Sequence, residues 1–176
     1  SMGRLTLNIL LSFAQFEREI ISERTRDKMG AAKRKGKWVG GRPPLGYSID
    51  KEKHRLVINP KESEIIHKIF DTYIEKRSLL SATMTMNELG YTTKQHKSEN
   101  GRKFGGIQFR SNGMQQLLRN PLYTGKVLYH GEIYPGEHEA IITDETFQKV
   151  QSILVENRPD WKMTKKIKHV GLLSGL

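Results

Sequence analysis

Apolar residues recur at the α-helical spacing along the first part of the chain. Two rows follow this spacing: Ile9, Phe13, Phe16 and Ile20 in one, and Leu10, Ala14 and Ile21 in the other. No proline interrupts the segment, so the pattern predicts one long helix within residues 1–36, over roughly 5–35, that ends at Gly36. A single helix cannot bury two apolar rows by itself, so we expect another copy or a further domain to cover them.

Pairs of glycine and proline interrupt the helical pattern after Gly36. Gly40-Gly41 and Pro43-Pro44 cannot continue a helix, and Arg42 is pushed towards extended backbone because it precedes a proline. Residues 37–46 are therefore predicted to form an extended basic linker, which could span roughly 30 Å at ~3.3 Å per residue.

From Tyr47 onward, short apolar runs between turn residues predict a domain over 47–158. The fold class expected is mainly α with small β elements: a long N-terminal helix, an extended linker, and a helix-turn-helix-like domain with a β-hairpin. The predicted elements of the domain are strands 47–49 and 55–58, helices 60–77 and 81–89, a flexible loop 92–110, a helix 111–119 capped by Ser111, a hairpin of 123–129 with 132–134, and a last helix after Thr143. Residues 159–176 are predicted to lead to another module.

The positive charge of the chain is clustered. The net charge is +11, and between residues 24 and 42 eight Lys or Arg accompany one acid, Asp27. Segments 91–126 and 161–169 are also strongly basic. Clustered charge indicates a surface that binds a polyanion, although a solvated basic surface is the alternative for any one segment.

Several classes of protein and site are disfavoured. No run of eighteen apolar residues predicts a transmembrane helix, and the absence of cysteine excludes disulfides and cysteine-ligated zinc. Four residues that could bind a metal lack the spacing of a known metal site: His130, Glu132, His138 and Glu139. We therefore predict no metal site and no membrane contact.

The helix at 111–119 is the candidate for reading DNA bases. Met114, Leu117 and Leu118 would face the core, while the opposite face carries Asn112, Gln115, Gln116 and Arg119. Asn and Gln can bond adenine and Arg can bond guanine in the major groove. Phosphate contacts are expected from the preceding loop through Lys94, Lys97, Arg102, Lys103 and Arg110.

The end of the long helix and the linker form a second candidate DNA-binding element. Its cations are Lys33, Arg34, Lys35, Lys37 and Arg42. Arginine in extended, glycine-rich backbone suits a narrow minor groove, whose negative potential attracts guanidinium groups. A plain interdomain linker is the alternative. Trp38 could stack on a sugar or base, or pack against the domain.

These segments resemble the large serine recombinases. The resemblance is carried by FAQFEREIISERT with the basic stretch and GGRPPLGY after it, and then by LLRNPLYTGKV and EAIITDETFQKVQSIL. It implies that residues 1–36 are the last helix of a resolvase-type catalytic domain, on which Arg18, Glu23 and Arg24 support the active site and the subunit interface. It also implies a bacterial or phage-encoded cytoplasmic protein that binds a recombination site in double-stranded DNA and forms dimers or tetramers.

The resemblance further implies integration, excision or transposition by cutting and rejoining DNA through a covalent phosphoserine, without a metal or a cofactor. The nucleophilic serine of that family lies in a motif that this sequence does not contain, and Ser12 and Ser22 have no arginine cluster around them. We therefore expect this fragment to lack strand-transfer activity.

Two alternatives come from other functional classes. A non-enzymatic helix-turn-helix regulator would also carry a polar recognition helix and basic segments. An RNA-binding protein would share the charge, but the sequence shows no aromatic platform on which bases would stack.

Overall fold

Helices and two-stranded antiparallel sheets alternate along the chain in the computed structural model, which describes residues 2–50, 52–98 and 100–157. The elements are α1 (Met2–Arg34), β1 (Tyr47–Asp50), β2 (Arg55–Ile58), α2 (Pro60–Lys76), α3 (Leu79–Glu88), β3 (His96–Lys97), β4 (Lys103–Phe104), α4 (Ser111–Leu118), a 3₁₀ turn (Pro121–Thr124), β5 (Lys126–Tyr129), β6 (Glu132–Pro135) and α5 (Asp144–Glu156). The predicted fold class, mainly α with small β elements, is confirmed. The predicted segment 159–176 lies outside the described residues.

α1 is a single helix of 33 residues, as the apolar spacing predicts. Its apolar rows are uncovered: the side chains of Phe13 and Phe16 are 62% and 59% exposed. Within α1, Gly30 is the one buried residue that the structure describes. Gly36, at a φ of +73°, ends the helix and donates its N–H to Lys33.

The core of the domain lies among α2, α3, α4 and α5. α2 begins at Pro60, whose fixed φ suits the first helical position. Each helix contributes buried apolar side chains: Ile66, Ile69, Phe70 and Tyr73 of α2, Ala82 and Met86 of α3, Met114 and Leu118 of α4, and Val150 and Leu154 of α5. Tyr47 of β1 is fully buried among them and donates its hydroxyl to the Glu139 carbonyl at 2.8 Å. Burial raises the pKa of the Tyr47 phenol.

Two predicted N-cap residues are wrong, one by three positions and the other by one. α3 begins at Leu79 because the hydroxyl of Ser78, rather than that of Ser81, occupies the N-cap position and accepts the Ser81 N–H. α4 has Arg110 at its N-cap position, so Ser111 is the first helical residue and makes no capping bond there. Thr143 caps α5 as predicted.

Two further segments differ from the prediction. Residues 123 and 124, predicted to begin a strand, belong to the 3₁₀ turn Pro121–Thr124, since Pro121 starts this turn and the Asn120 side chain accepts the Leu122 N–H at 3.1 Å. The loop 92–110 contains the hairpin β3–β4. Its base is closed by reciprocal backbone bonds, from Thr93 to Ile107 at 2.9 Å and from Gly106 to Thr93 at 3.0 Å.

Residues 37–46, called the strap below, are irregular and attached at both ends. At the first end, the carbonyl of Gly36 accepts the Glu137 N–H at 3.0 Å. At the second end, Leu45 is buried and the Gly46 N–H donates to the Glu62 carboxylate at 3.0 Å. The middle is exposed, and Gly40 and Gly41 adopt φ angles of +98° and +97°, which side chains rarely permit. The strap is therefore bent at its centre rather than straight.

Candidate nucleic-acid interface

The predicted cations at the end of α1 and on the strap carry no counter-ion from the described residues. Lys33 is half-buried, and the others are exposed: Arg34, Lys35, Lys37 and Arg42. The salt bridges of the described structure instead use cations outside this group: Lys76, Arg77, Lys94 and Lys126. The positive charge of α1 and the strap is therefore available to a ligand.

Arg42 connects the strap to the β3–β4 hairpin. Its guanidinium carbon lies 4.8 Å from the ring centroid of Phe104, the distance of a cation–π contact. The neighbouring ring of His96 faces Phe104 across the hairpin. Partial burial lowers the pKa of His96, and the nearby charges of Lys94 and Arg42 act in the same direction. Arg42 therefore connects the exposed part of the strap to the hairpin.

The predicted phosphate contacts of the loop divide into two groups. Four side chains are exposed: Lys97, Arg102, Lys103 and Arg110. Lys94 differs, because its ammonium forms a salt bridge with Glu62 and donates to the Tyr47 carbonyl at 2.6 Å. Its side chain is only 11% exposed. Lys94 thus joins the strap end, α2 and the hairpin, and a phosphate contact from it is not supported.

α4 has the two faces that its sequence predicts. Met114 and Leu118 are fully buried, and Leu117 is half-buried. The polar residues of the opposite face differ in exposure. Gln115 is half-buried, and the exposed members are Asn112, Gln116 and Arg119. The core therefore holds α4 with a hydrogen-bonding surface turned away from it.

Asn87 fixes the start of α4 and was not identified from the sequence. Its side-chain amide donates to the Phe109 carbonyl at 3.0 Å, and its oxygen accepts the Phe109 N–H at 2.8 Å. This reciprocal pair joins α3 to the residue before the N-cap of α4. No local sequence motif predicts this contact, because the two residues are 22 positions apart in the chain. α3 and α4 pack together, but their connection is longer than a helix-turn-helix turn, so that motif stays a prediction.

The α1 residues with an implied supporting role are all exposed. Arg18, Glu23 and Arg24 make no salt bridge within the described part of the chain. Their role at an active site or subunit interface stays a prediction.

The candidate metal ligands are dispersed. The ring nitrogen Nε2 of His138 lies 2.7 Å from the Leu122 carbonyl, and its ring meets Tyr47 edge-on at 5.4 Å. His138 therefore has a packing role. Residues 2–50, 52–98 and 100–157 contain no group of three possible metal-ligating side chains. The helices in these ranges also lack a segment of the length and hydropathy that crossing a bilayer requires.

Comparison with known proteins identifies two family matches. The family model described as Recombinase matches residues 60–157, and the one described as Resolvase, N terminal domain, matches residues 1–38. The first match covers more than half of the chain. These matches support a recombinase, and none of them favours a non-enzymatic regulator.

Two solved structures are similar over about four-fifths of the chain. One is described as the crystal structure of an LSR–DNA complex, with 25% identity and a TM-score of 0.59, covering 80% of this chain and 43% of that one. The other is described as concerning the sequence requirements of the Listeria innocua prophage attP site, with 27% identity and a TM-score of 0.60, covering 81% and 56%. The chain spans about half the length of these proteins. It belongs to the Recombinase family and is part of a large serine recombinase.

Proposed function

We propose that this chain is the DNA-binding part of its recombinase and recognises one half of a recombination site. The observation that carries the proposal is the exposed polar face of α4. Asn112, Gln116 and Arg119 are exposed there, whereas the apolar side chains of the same helix are buried in the core. Such a helix can present hydrogen-bonding groups to base edges in the major groove. One of the similar structures is a DNA complex, which supports the same assignment.

The strap supplies the second part of the proposal. Its cations have no counter-ion among the described residues, and Arg42 stands beside two positive-φ glycines that carry no side chain to obstruct a groove. We place Arg42 in the minor groove next to the base pairs that α4 reads. Phosphate contacts from Arg102, Lys103 and Arg110 would set the register of the protein on the duplex.

Catalysis belongs to the parent protein in this proposal. The sequence holds no nucleophilic serine motif of the family, so the fragment binds DNA without cutting it. Cutting and rejoining during integration, excision or transposition would require self-association of the whole protein. The exposed apolar rows of α1 are the surface we assign to that association.

The test compares a duplex selected by the protein from a randomised pool with a scrambled duplex of equal length, over a range of salt concentrations. We expect at least ~100-fold preference for the selected duplex. Double substitution of Gln115 and Gln116 to Ala should reduce that preference and leave the salt dependence unchanged, whereas Lys103→Gln should weaken both duplexes and lower the salt slope by about 1.

Equal affinity for selected and scrambled duplexes would overturn sequence-specific reading. A single-stranded RNA competitor is the matched control for nucleic-acid class. If it displaced the protein as well as duplex DNA did, the duplex assignment would be wrong.

A further inference from the structure

We propose that Ile107 recognises one thymine of the DNA site through the 5-methyl group of that base; this inference rests on the proposed function. Ile107 lies between the β3–β4 hairpin and α4 and is 59% exposed. Phe104, the other exposed apolar residue of this segment, differs because the Arg42 guanidinium already lies over its ring. Single exposed apolar residues are common on protein surfaces, so the support and the surroundings of Ile107 must carry the assignment.

The backbone on both sides of Ile107 is held in place by the rest of the domain. The Ile107 N–H donates to the Thr93 hydroxyl at 3.2 Å, and the Ile107 carbonyl accepts the Thr93 N–H at 2.9 Å. Two residues later, Phe109 is buried, and its N–H and carbonyl both bond the Asn87 side chain. Because the backbone is fixed and a β-branched side chain has few rotamers, covering Ile107 with a ligand costs little conformational entropy.

The charge around Ile107 selects the class of ligand. Residues 100–131 contain no Asp or Glu. Arg102, Lys103 and Arg110, on either side of Ile107, are exposed and form no salt bridge within the described part of the chain. A partner that covers an apolar group in such a basic segment must carry negative charge, and duplex DNA supplies it through its phosphates. Duplex DNA is therefore the ligand that this surface fits.

The position of Ile107 along the chain brings it near the bases that α4 would contact. Ser111, the first residue of α4, follows only four residues later. At ~3.8 Å per step, the two Cα atoms are at most about 15 Å apart, which is close to the ~12 Å width of the major groove. If the polar face of α4 lies against base edges, Ile107 is within reach of a base pair beside them.

Thymine offers the matching chemistry in the major groove. The edges of the base pairs present hydrogen-bond donors and acceptors there, and the 5-methyl group of thymine is the apolar exception. Contact between this methyl group and the Ile107 side chain would remove apolar surface of both from water. The flanking cations would contact phosphates of any sequence, whereas Ile107 would favour thymine over cytosine at one position.

Deoxyuridine tests the contact, because it is thymidine without the 5-methyl group. Each thymine of the selected duplex is replaced in turn, and the affinity is measured by fluorescence anisotropy at constant salt. We expect one position to weaken wild-type binding about 4-fold, the loss expected for one buried methyl group. Ile107→Ala should weaken binding of the unmodified duplex about 4- to 10-fold, and deoxyuridine at that position should then cost less than about 1.5-fold more.

Two controls accompany this variant. Met84→Ala removes an apolar side chain of comparable exposure from α3, and it should keep both the wild-type affinity and the wild-type response to deoxyuridine. Thermal unfolding of Ile107→Ala separates a binding loss from a folding loss, and we expect the same midpoint as for the wild type because the side chain is exposed. The salt slope should also stay the same, because no charge is removed.

The possible failures are distinguishable. If deoxyuridine costs the wild type nothing at any position while its preference for the selected duplex persists, the inference fails and the proposed function stands. If Ile107→Ala weakens binding but keeps the full response to deoxyuridine, Ile107 contacts another part of the DNA, such as a base step that it wedges apart, and the thymine assignment is wrong. If Ile107→Ala binds the unmodified duplex like the wild type, Ile107 does not contact DNA. A wild type without preference for its selected duplex would instead overturn the proposed function.

Discussion

Lys94 and Lys103 lie in the same basic segment, yet the structure gives them different surroundings. Lys103 is exposed, whereas Lys94 is held by Glu62 and the Tyr47 carbonyl. The sequence identifies both as cations, but it cannot pair Lys94 with a carboxylate 32 residues away. Residue type therefore predicts charge, and only the tertiary structure decides which charges remain available to a ligand.

Replacing Lys94 by Met should destabilise the fold and leave DNA electrostatics nearly unchanged. The substitution would leave the Glu62 carboxylate without its cation and the Tyr47 carbonyl without its donor, which should lower the free energy of unfolding by about 1–3 kcal/mol. Urea denaturation measures this effect, with Lys97→Met on exposed β3 as the control. A lowered salt slope of DNA binding at unchanged stability would instead make Lys94 a phosphate contact.

Replacing Arg42 by Gln should weaken DNA binding most on A·T-rich sites. A narrow A·T-rich minor groove concentrates negative potential around an inserted guanidinium, so the loss should be about 5- to 10-fold larger there than on a G·C-rich duplex. Fluorescence anisotropy with both duplexes measures the difference, and the G·C-rich duplex is the internal control. An equal loss on both duplexes would assign Arg42 to the phosphates and remove it from the groove.

At the scale of elements, α1 is attached to the domain by a contact that depends on the absence of a side chain. Gly30 faces the ring of Tyr129 on β5, where an added Cβ would overlap the hydroxyl and lie 3.1 Å from Cζ. Lys33, one turn later, lies over the same ring at 5.3 Å from its centroid. This contact sets where the strap begins.

Replacing Gly30 by Ala should separate helix stability from helix docking. Alanine favours the helix by ~1 kcal/mol, so helicity should not fall, but the new methyl group should displace α1 from Tyr129. The chain has no native cysteine, so spin labels at Glu19→Cys and Ser152→Cys can report the distance between α1 and α5. We expect a broader distance distribution and several-fold weaker DNA binding.

Gly3→Ala is the matched control, because nothing lies within 4 Å of that position and the change to α1 is otherwise the same. If both alanine variants gave the same distance distribution, the docking role of Gly30 would be refuted.

Elements with clear apolar spacing could be predicted, and those without it could not. α4 follows from Met114 and Leu118, whose spacing places them on one face, and both are buried. The hairpin β3–β4 has strands of only two residues, too short to show alternation, and long-range bonds at its base define it. Residues 123 and 124 were predicted as the start of the following strand, but they end the 3₁₀ turn, because a single turn is too short to show a helical repeat.

At the scale of the whole molecule, the exposed rows of α1 predict self-association. Light scattering should show a mass that rises with protein concentration, and combined Phe13→Asp and Phe16→Asp should give a monomer. Each phenylalanine buried in such a contact contributes roughly 2–3 kcal/mol. Met84→Asp, on the exposed side of α3, is the control because Met84 is a comparably exposed apolar residue. If the wild type stays monomeric at every concentration, the prediction of self-association is wrong and the apolar rows of α1 must contact a different partner.

The paired bonds at the base of the 92–107 segment have a consequence for how this protein could diversify. The side chain of Asn87 forms hydrogen bonds with the Phe109 backbone, and the Thr93 N–H donates to the Ile107 carbonyl. The position of the backbone that enters α4 is therefore fixed at the base of the hairpin and does not depend on its tip. Changes in the length or charge of the hairpin tip can then leave the orientation of α4 unchanged. If the proposed function holds, the strength of DNA binding and the base sequence that α4 recognises could then change independently of each other during evolution.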